Sequence, residues 1–138
     1  MQNNNLPAPT TRIVGRENVI EQIGSQLSHA SLVSIVGPGG VGKTTVALAI
    51  AQRALPSFKD DVWLVDFAPL QEPSLVPHAI SVSIGLTVHS VDILSALICF
   101  LRERKILLLF DNCEHLLAPI SSCISRILQE CPHTRILA

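Results

Sequence analysis

The sequence predicts an α/β domain built as a parallel sheet with flanking helices. Apolar runs at 32–36, 62–67, 106–110 and 135–138 have strand length. The stretches between them space their apolar residues at helical intervals, and the two kinds of segment alternate along the chain. Such alternation means strands that pair in parallel and are joined by right-handed crossovers. At 138 residues the chain is one domain's worth and long enough to bury a real core.

Residues 1–12 hold Asn3-Asn4-Asn5, Pro7 and Pro9 and are expected to be a tail or linker, with the domain over 13–138. A helix is expected from Glu17, with Ile20, Ile23 and Leu27 on one face. A strand over Leu32 to Val36 runs into the glycine cluster that starts at Gly37. A second, alanine-rich helix spans Lys43 to Ala54 and is ended by Pro56. The strand Val62 to Phe67 lies between Asp60-Asp61 and Pro69. Ser74 to Ile84 has helical spacing, with Leu75, Ala79 and Val82 in register and Gly85 as its stop. Ser90 is placed to cap the next helix, whose buried stripe is Leu94, Leu97, Ile98 and Leu101. Arg102, Arg104 and Lys105 fall in its last turn, where cations suit the helix dipole. Ile106 to Phe110 is apolar without a break, the mark of a strand covered on both faces. The last helix carries Ile120, Ile124, Ile127 and Leu128 and stops at Cys131-Pro132, and Arg135 to Ala138 then begins a fourth strand. A domain of this class that ends on a strand is expected to be part of something longer.

Composition narrows the function. Hydrophobic residues make up 48% and charged ones 15%, which excludes intrinsic disorder. Mean hydropathy is +0.43, so either most strands are buried on both faces or a partner surface belongs on this one. Ten basic residues against eleven acidic leave a net charge of −1, and no overall positive field recruits nucleic acid or anionic membrane. No apolar run reaches the roughly 18 residues of a membrane span. The polar start, Met1 to Asn5, is no secretory signal. Cys99, Cys113, Cys123 and Cys131 have neither CxxC nor metal-ligand spacing and read as buried, reduced thiols, with the cytoplasm as the expected address.

The strongest motif is Gly37-Pro38-Gly39-Gly40-Val41-Gly42-Lys43-Thr44, a complete GxxxxGK[ST] phosphate-binding loop between a strand and a helix. Glycines let backbone N–H groups curl around phosphate oxygens, and the next helix aims its positive end at them. Lys43 supplies a point charge toward the β- and γ-phosphates, and the Thr44 hydroxyl is a ligand for Mg²⁺. The nucleotide-binding set is Gly37 to Thr44 with Thr45 beside it. Downstream, Ile106-Leu107-Leu108-Leu109-Phe110-Asp111 is an apolar strand ending in an acid, the Walker B pattern. A carboxylate there sits in the crevice at the strand ends and can hold Mg²⁺ through water, which makes Thr44 and Asp111 the metal pair.

Val14-Gly15-Arg16-Glu17, the phosphate loop, the segment Asp61 to Leu70, Asp111-Asn112-Cys113-Glu114-His115-Leu116-Leu117 and the closing Arg135 to Ala138 occur in this order. The set resembles the NB-ARC-like module of the STAND signal-transduction ATPases (ASCE-type P-loop NTPases), in the version found in large bacterial transcriptional regulators of winged-helix or LuxR type. The resemblance covers Leu6 to Ala138. It implies ATP or ADP with Mg²⁺, backbone contacts from Ile13 and Val14 to adenine, and an Arg16 that either supports the nucleotide or is a solvated arginine at a helix start. It implies a fourth strand inserted between the phosphate-loop strand and the Walker B strand. The family cycles between a closed ADP state and an open ATP state that oligomerises, and DNA binding belongs to a flanking domain. The family's last strand, its helical subdomain and a γ-phosphate-reading arginine would lie beyond Ala138.

Where many relatives carry a second acid after the Walker B Asp, this chain has Asn112, which accepts no proton. Glu114 is the nearest substitute, read either as the base that completes a catalytic set with Lys43 and Asp111 or as an acid suited to a helix N-terminus. His115 either touches phosphate or orients a neighbour, or else caps or packs locally. Trp63 and Phe67 read as core, Asp66 either approaches the magnesium site from the second strand or caps its strand end, and His78, His89 and His133 show no ligand spacing. The expected function is a nucleotide-dependent switch in a regulator, with slow Mg²⁺-dependent ATP hydrolysis. The alternatives are a competent NTPase that uses Glu114 and a fragment without function of its own.

Overall fold

The computed structural model describes residues 4–6, 17–27, 29–34, 43–59, 61–89 and 91–138. Helix α1 spans Glu17–Leu27 and strand β1 Leu32–Val33. After them come α2 (Lys43–Ala54), β2 (Val62–Asp66), α3 (Val76–Ser83) and α4 (Ile93–Leu101). β3 (Ile106–Asp111), α5 (Leu117–Glu130) and β4 (Thr134–Leu137) complete the order. The four strands are parallel in the order β1-β4-β3-β2, so the fourth strand does lie between the first and the third.

The period of two in a strand explains the unbroken apolar run of β3. Ile106, Leu108 and Phe110 face one core with α3, α4 and α5, and Leu107 and Leu109 face another with α1 and α2. β2 divides in the same way, Val65 joining the first core and Val62 the second. Phe67 and Phe110 meet edge to face at 5.2 Å between ring centroids. α2 contributes Val46, Ala47, Ile50 and Ala51 as one stripe of small and branched side chains.

Several local expectations change. Pro56 does end α2 at Ala54, and the chain continues as a 3₁₀ turn, Leu55–Phe58, closed by Lys59 at φ +53°. The segment from Ser74 enters as a 3₁₀ turn, Pro73–Leu75, and α3 begins at Val76. Val76 and Ile80 with Ile84 form the buried face, while Leu75 and Val82 are 43% and 61% exposed. Gly85 at φ +74° ends α3 as expected: its N–H donates to the Val82 carbonyl and that of Leu86 to Ser81, a Schellman closure. Ser90 lies outside the described residues, and the cap of α4 is Asp92. Its carboxylate accepts from the Ser95 amide at 3.1 Å and the Ser95 hydroxyl at 2.7 Å.

The basic trio falls past the last turn of α4. Arg102 pairs with Glu130 at 3.4 Å, and Arg104 with Asp61 at 3.1 Å while lying over the Phe100 ring. Cys123 and Cys131 are buried and Cys113 half-buried, but Cys99 is exposed, on the side of α4 away from Leu97, Ile98 and Leu101. Asn4 to Leu6, within the expected tail, lies along β2. Asn4 bridges to Val62, and the Asn5 side chain both donates to the Leu64 carbonyl and accepts from its amide.

The doubly covered β3 is where packing is least forgiving. Leu108→Ala is expected to cost about 2–5 kcal/mol in urea unfolding, whereas Val91→Ala, at a fully exposed position, should stay within about 0.5 kcal/mol.

Candidate functional site

The site forms where α2 begins, at the carboxyl ends of β2 and β3. The register sets Asp66 beside Asp111. The Thr44 hydroxyl, in the first turn of α2, donates to both carboxylate oxygens of Asp111, at 3.1 and 3.0 Å. Lys43 Nζ donates to Glu114 Oε1 at 3.3 Å. Residues 67 and 71 positions apart thus meet at one edge of the sheet. A hydroxyl and a carboxylate are hard oxygen donors, the ligand chemistry that suits Mg²⁺. Thr45, next on α2, is exposed and takes no part in these contacts. Val14, Arg16, Gly37, Pro38, Gly39, Gly40, Val41 and Gly42 lie outside the described residues.

Asn112 holds the turn that leaves β3. It sits at φ +56°, a left-handed conformation that asparagine tolerates better than most side chains. Its amide donates to Asp111 Oδ1 at 3.0 Å, and its side chain donates to Asp66 Oδ1 at 2.9 Å. Asp66 also accepts from the Ala68 amide, so it caps β2 and ties it to β3. The sequence indicates the cap and not the tie, although the matched endings Leu64-Val65-Asp66 and Leu109-Phe110-Asp111 are its trace.

Glu114 opens a 3₁₀ turn, Glu114–Leu116, that leads into α5. Its own backbone amide, and then Lys43, hold its carboxyl below the ordinary 4.5. Burial, then the charge of Glu114, pushes the Cys113 thiol up. His115 Nε2 lies 2.7 Å from the Leu70 carbonyl, a contact that needs the proton on Nε2 and packs the post-β2 loop against the turn. Trp63 is half-buried and donates to Asp61, and Phe67 is fully buried, both as core expectations require. Asp61, not singled out from the sequence, is buried between Trp63 and Arg104. Among the described residues no cluster of three or more His, Cys, Asp or Glu could hold a metal, and no helix is long and apolar enough to cross a membrane.

No protein-family model matches the chain. It is 30% identical over 128 residues to an uncharacterised protein of Mycobacterium tuberculosis, covering 92% of this chain and 33% of that one. A Mycobacterium tuberculosis protein named as an HTH-type transcriptional regulator is 34% identical over 113 residues, 81% of this chain and 13% of the regulator. Regulatory protein AfsR of Streptomyces griseus is 31% identical over 121 residues, 78% of this chain and 12% of AfsR. The chain therefore spans a third or less of these relatives. Among solved structures, Drosophila ORC bound to DNA superposes with a TM-score of 0.68 at 16% identity, over 94% of this chain and 39% of that one. The Aeropyrum pernix ORC2 protein, in ADPNP–ADP complexes, gives 0.65 at 16% identity, over 96% of this chain and 42% of its own. The fold is thus a parallel four-stranded sheet with flanking helices, similar to the corresponding part of the two ORC structures.

The shifted Glu114 carboxyl yields a test with a definite sign. A depressed pKa means that the Lys43 pair is in place above pH 4.5 and is lost as pH falls through the lowered value. Carbon-13 titration should find the Glu114 midpoint below 4.5. Lys43→Met should raise it only part of the way back, because the larger cause, the backbone amide, remains.

Proposed function

We propose that the chain is the nucleotide-binding part of a bacterial regulator, an NB-ARC-like STAND module that binds ATP or ADP with Mg²⁺ and acts as a switch. The observation that carries this is the bond of Thr44 to Asp111, a phosphate-loop hydroxyl meeting a Walker B carboxylate across the sheet edge. The ADPNP–ADP complexes of the ORC2 neighbour and the regulatory names of the relatives support it. In this reading residues 13–138 are the nucleotide domain. DNA contact belongs to a flanking domain, oligomerisation follows the nucleotide, and the protein works in the cytoplasm.

Mg²⁺ would be held by Thr44 and Asp111 and would neutralise phosphate charge. Lys43 exchanges the Glu114 carboxylate for phosphate oxygens. The exchange is cheap, because Glu114 is 66% exposed and surface ion pairs contribute about 0–1 kcal/mol. Asn112 offers no base and is occupied with Asp66. A carboxyl held below its ordinary pKa makes Glu114 a weak proton acceptor at neutral pH, so hydrolysis is slow.

Calorimetry on this chain should find ADP and Mg-ATP binding at micromolar strength or better. Lys43→Ala should weaken both by at least about tenfold, and Asp111→Asn should remove the Mg²⁺ dependence. No binding by a folded sample would sink the reading for these residues. Glu114→Gln separates the switch from a competent NTPase. Phosphate release should change by less than about fivefold with binding kept, whereas a general base would take with it about 10²–10⁴ in rate.

A further inference from the structure

A cavity of about 430 Å³ opens between α1, α2 and the amino ends of β3 and β4. It lies at the other end of the sheet from Asp111, about 16 Å away along β3. Part of its wall is apolar: Ile20 and Leu27 from α1, Ile50 from α2 and Phe58 from the turn after it. Arg53, Lys105 and Arg135 also line it, with Glu21 as the carboxylate.

Of the five described cations outside the cavity, Lys43, Arg102, Arg104 and Arg126 each pair with a carboxylate, and Lys59 does not. Among the described residues Arg53, Lys105 and Arg135 have none within ion-pair distance. Arg135 is the most telling. It belongs to β4, an interior strand, and alternation puts it on the same covered face as Leu137, where an apolar side chain is the rule. It is half-buried, and its guanidinium donates to the Ser31 hydroxyl at 2.9 Å. Lys105 lies over the Phe58 ring at 5.6 Å.

We infer that this cavity binds a small organic monoanion, a carboxylate carried on an apolar chain or ring. The last turns of α1 and α2 border the cavity, and each helix end is equivalent to about half a negative charge. With Glu21 they offset about two of the three cations and leave room for one negative charge. The volume lies within the range of small-molecule sites, about 300–1,000 Å³. The apolar part of the wall favours a body that inorganic anions lack. Gly24 faces the same space: a Cβ built there meets nothing within 4 Å, so packing does not explain a helix-weakening glycine in α1.

Nitrogen-15 NMR titration of this chain with octanoate, 1-octanol and inorganic phosphate tests the inference. Octanoate should shift the Gly24, Ala54 and Lys105 amides saturably, and octanol and phosphate should each bind at least about tenfold more weakly. Arg135→Gln should weaken octanoate by a similar factor. Gly24→Leu, which fills the space while improving helix propensity, should abolish the shifts. If Arg135→Gln does not fold, exposed Lys105→Gln reads the same charge. Equal binding of octanol would overturn the anion, equal binding of phosphate the apolar body, and unchanged affinity in Gly24→Leu the cavity itself.

Discussion

Burial of β3 on both faces is the constraint on which the rest depends. Its five apolar residues, Ile106 to Phe110, must leave water on two sides at once, which two layers of helices and a strand on each edge achieve. Each fully buried side chain of this kind contributes about 1.5–3 kcal/mol, so the strand has no tolerable register one residue away. Asp111 is where that requirement stops. It is the first β3 side chain to emerge from the core, and it emerges at the carboxyl edge beside the start of α2. The position of the acid thus follows from hydrophobic packing, before any ligand is considered.

Around Asp111 each polar side chain is engaged by a neighbour from another element. Thr44 brings α2 to β3, Lys43 brings α2 to the turn before α5, and Asn112 brings β3 to β2. The network is preorganised, yet its members differ in how firmly they are held. Thr44 and Asp111 are half-buried and joined by two short contacts, whereas Glu114 is largely in solvent. The Thr44–Asp111 geometry is therefore set by the fold, and the partner of Lys43 is free to change.

Local physics is legible in the sequence, and non-local physics is not. The bounds of α2, the Gly85 stop, the apolar strand β3 and the stripe Leu97, Ile98 and Leu101 come from periodicity and backbone chemistry within one segment. The phase of α3 escapes that reasoning because two apolar registers, Leu75-Ala79-Val82 and Val76-Ile80-Ile84, both have helical spacing, and only packing in the core selects the second. Arg104 suits the helix dipole on local grounds, but a buried carboxylate 43 residues upstream, Asp61, holds it more strongly. Asn4 to Leu6 read as tail because nothing local requires structure there; the open edge of β2 is what orders them. At the site, Lys43, Thr44, Asp111 and Glu114 are all indicated by motif and resemblance, whereas the Asp66–Asn112 tie exists only through the parallel register.

That tie bears on why an asparagine follows Asp111. The residue must take a positive φ to turn the chain out of β3, and asparagine meets that demand at less cost than glutamate. Its amide then donates to Asp66, which a carboxylate at the same place could not do without a proton. A second acid would instead put a third negative charge beside Asp66 and Asp111, a repulsion that Mg²⁺ would have to offset before the sheet ends could close. The asparagine joins β2 and β3 without that help. The asparagine that offers no base at this position is also what fixes the geometry of the strand ends.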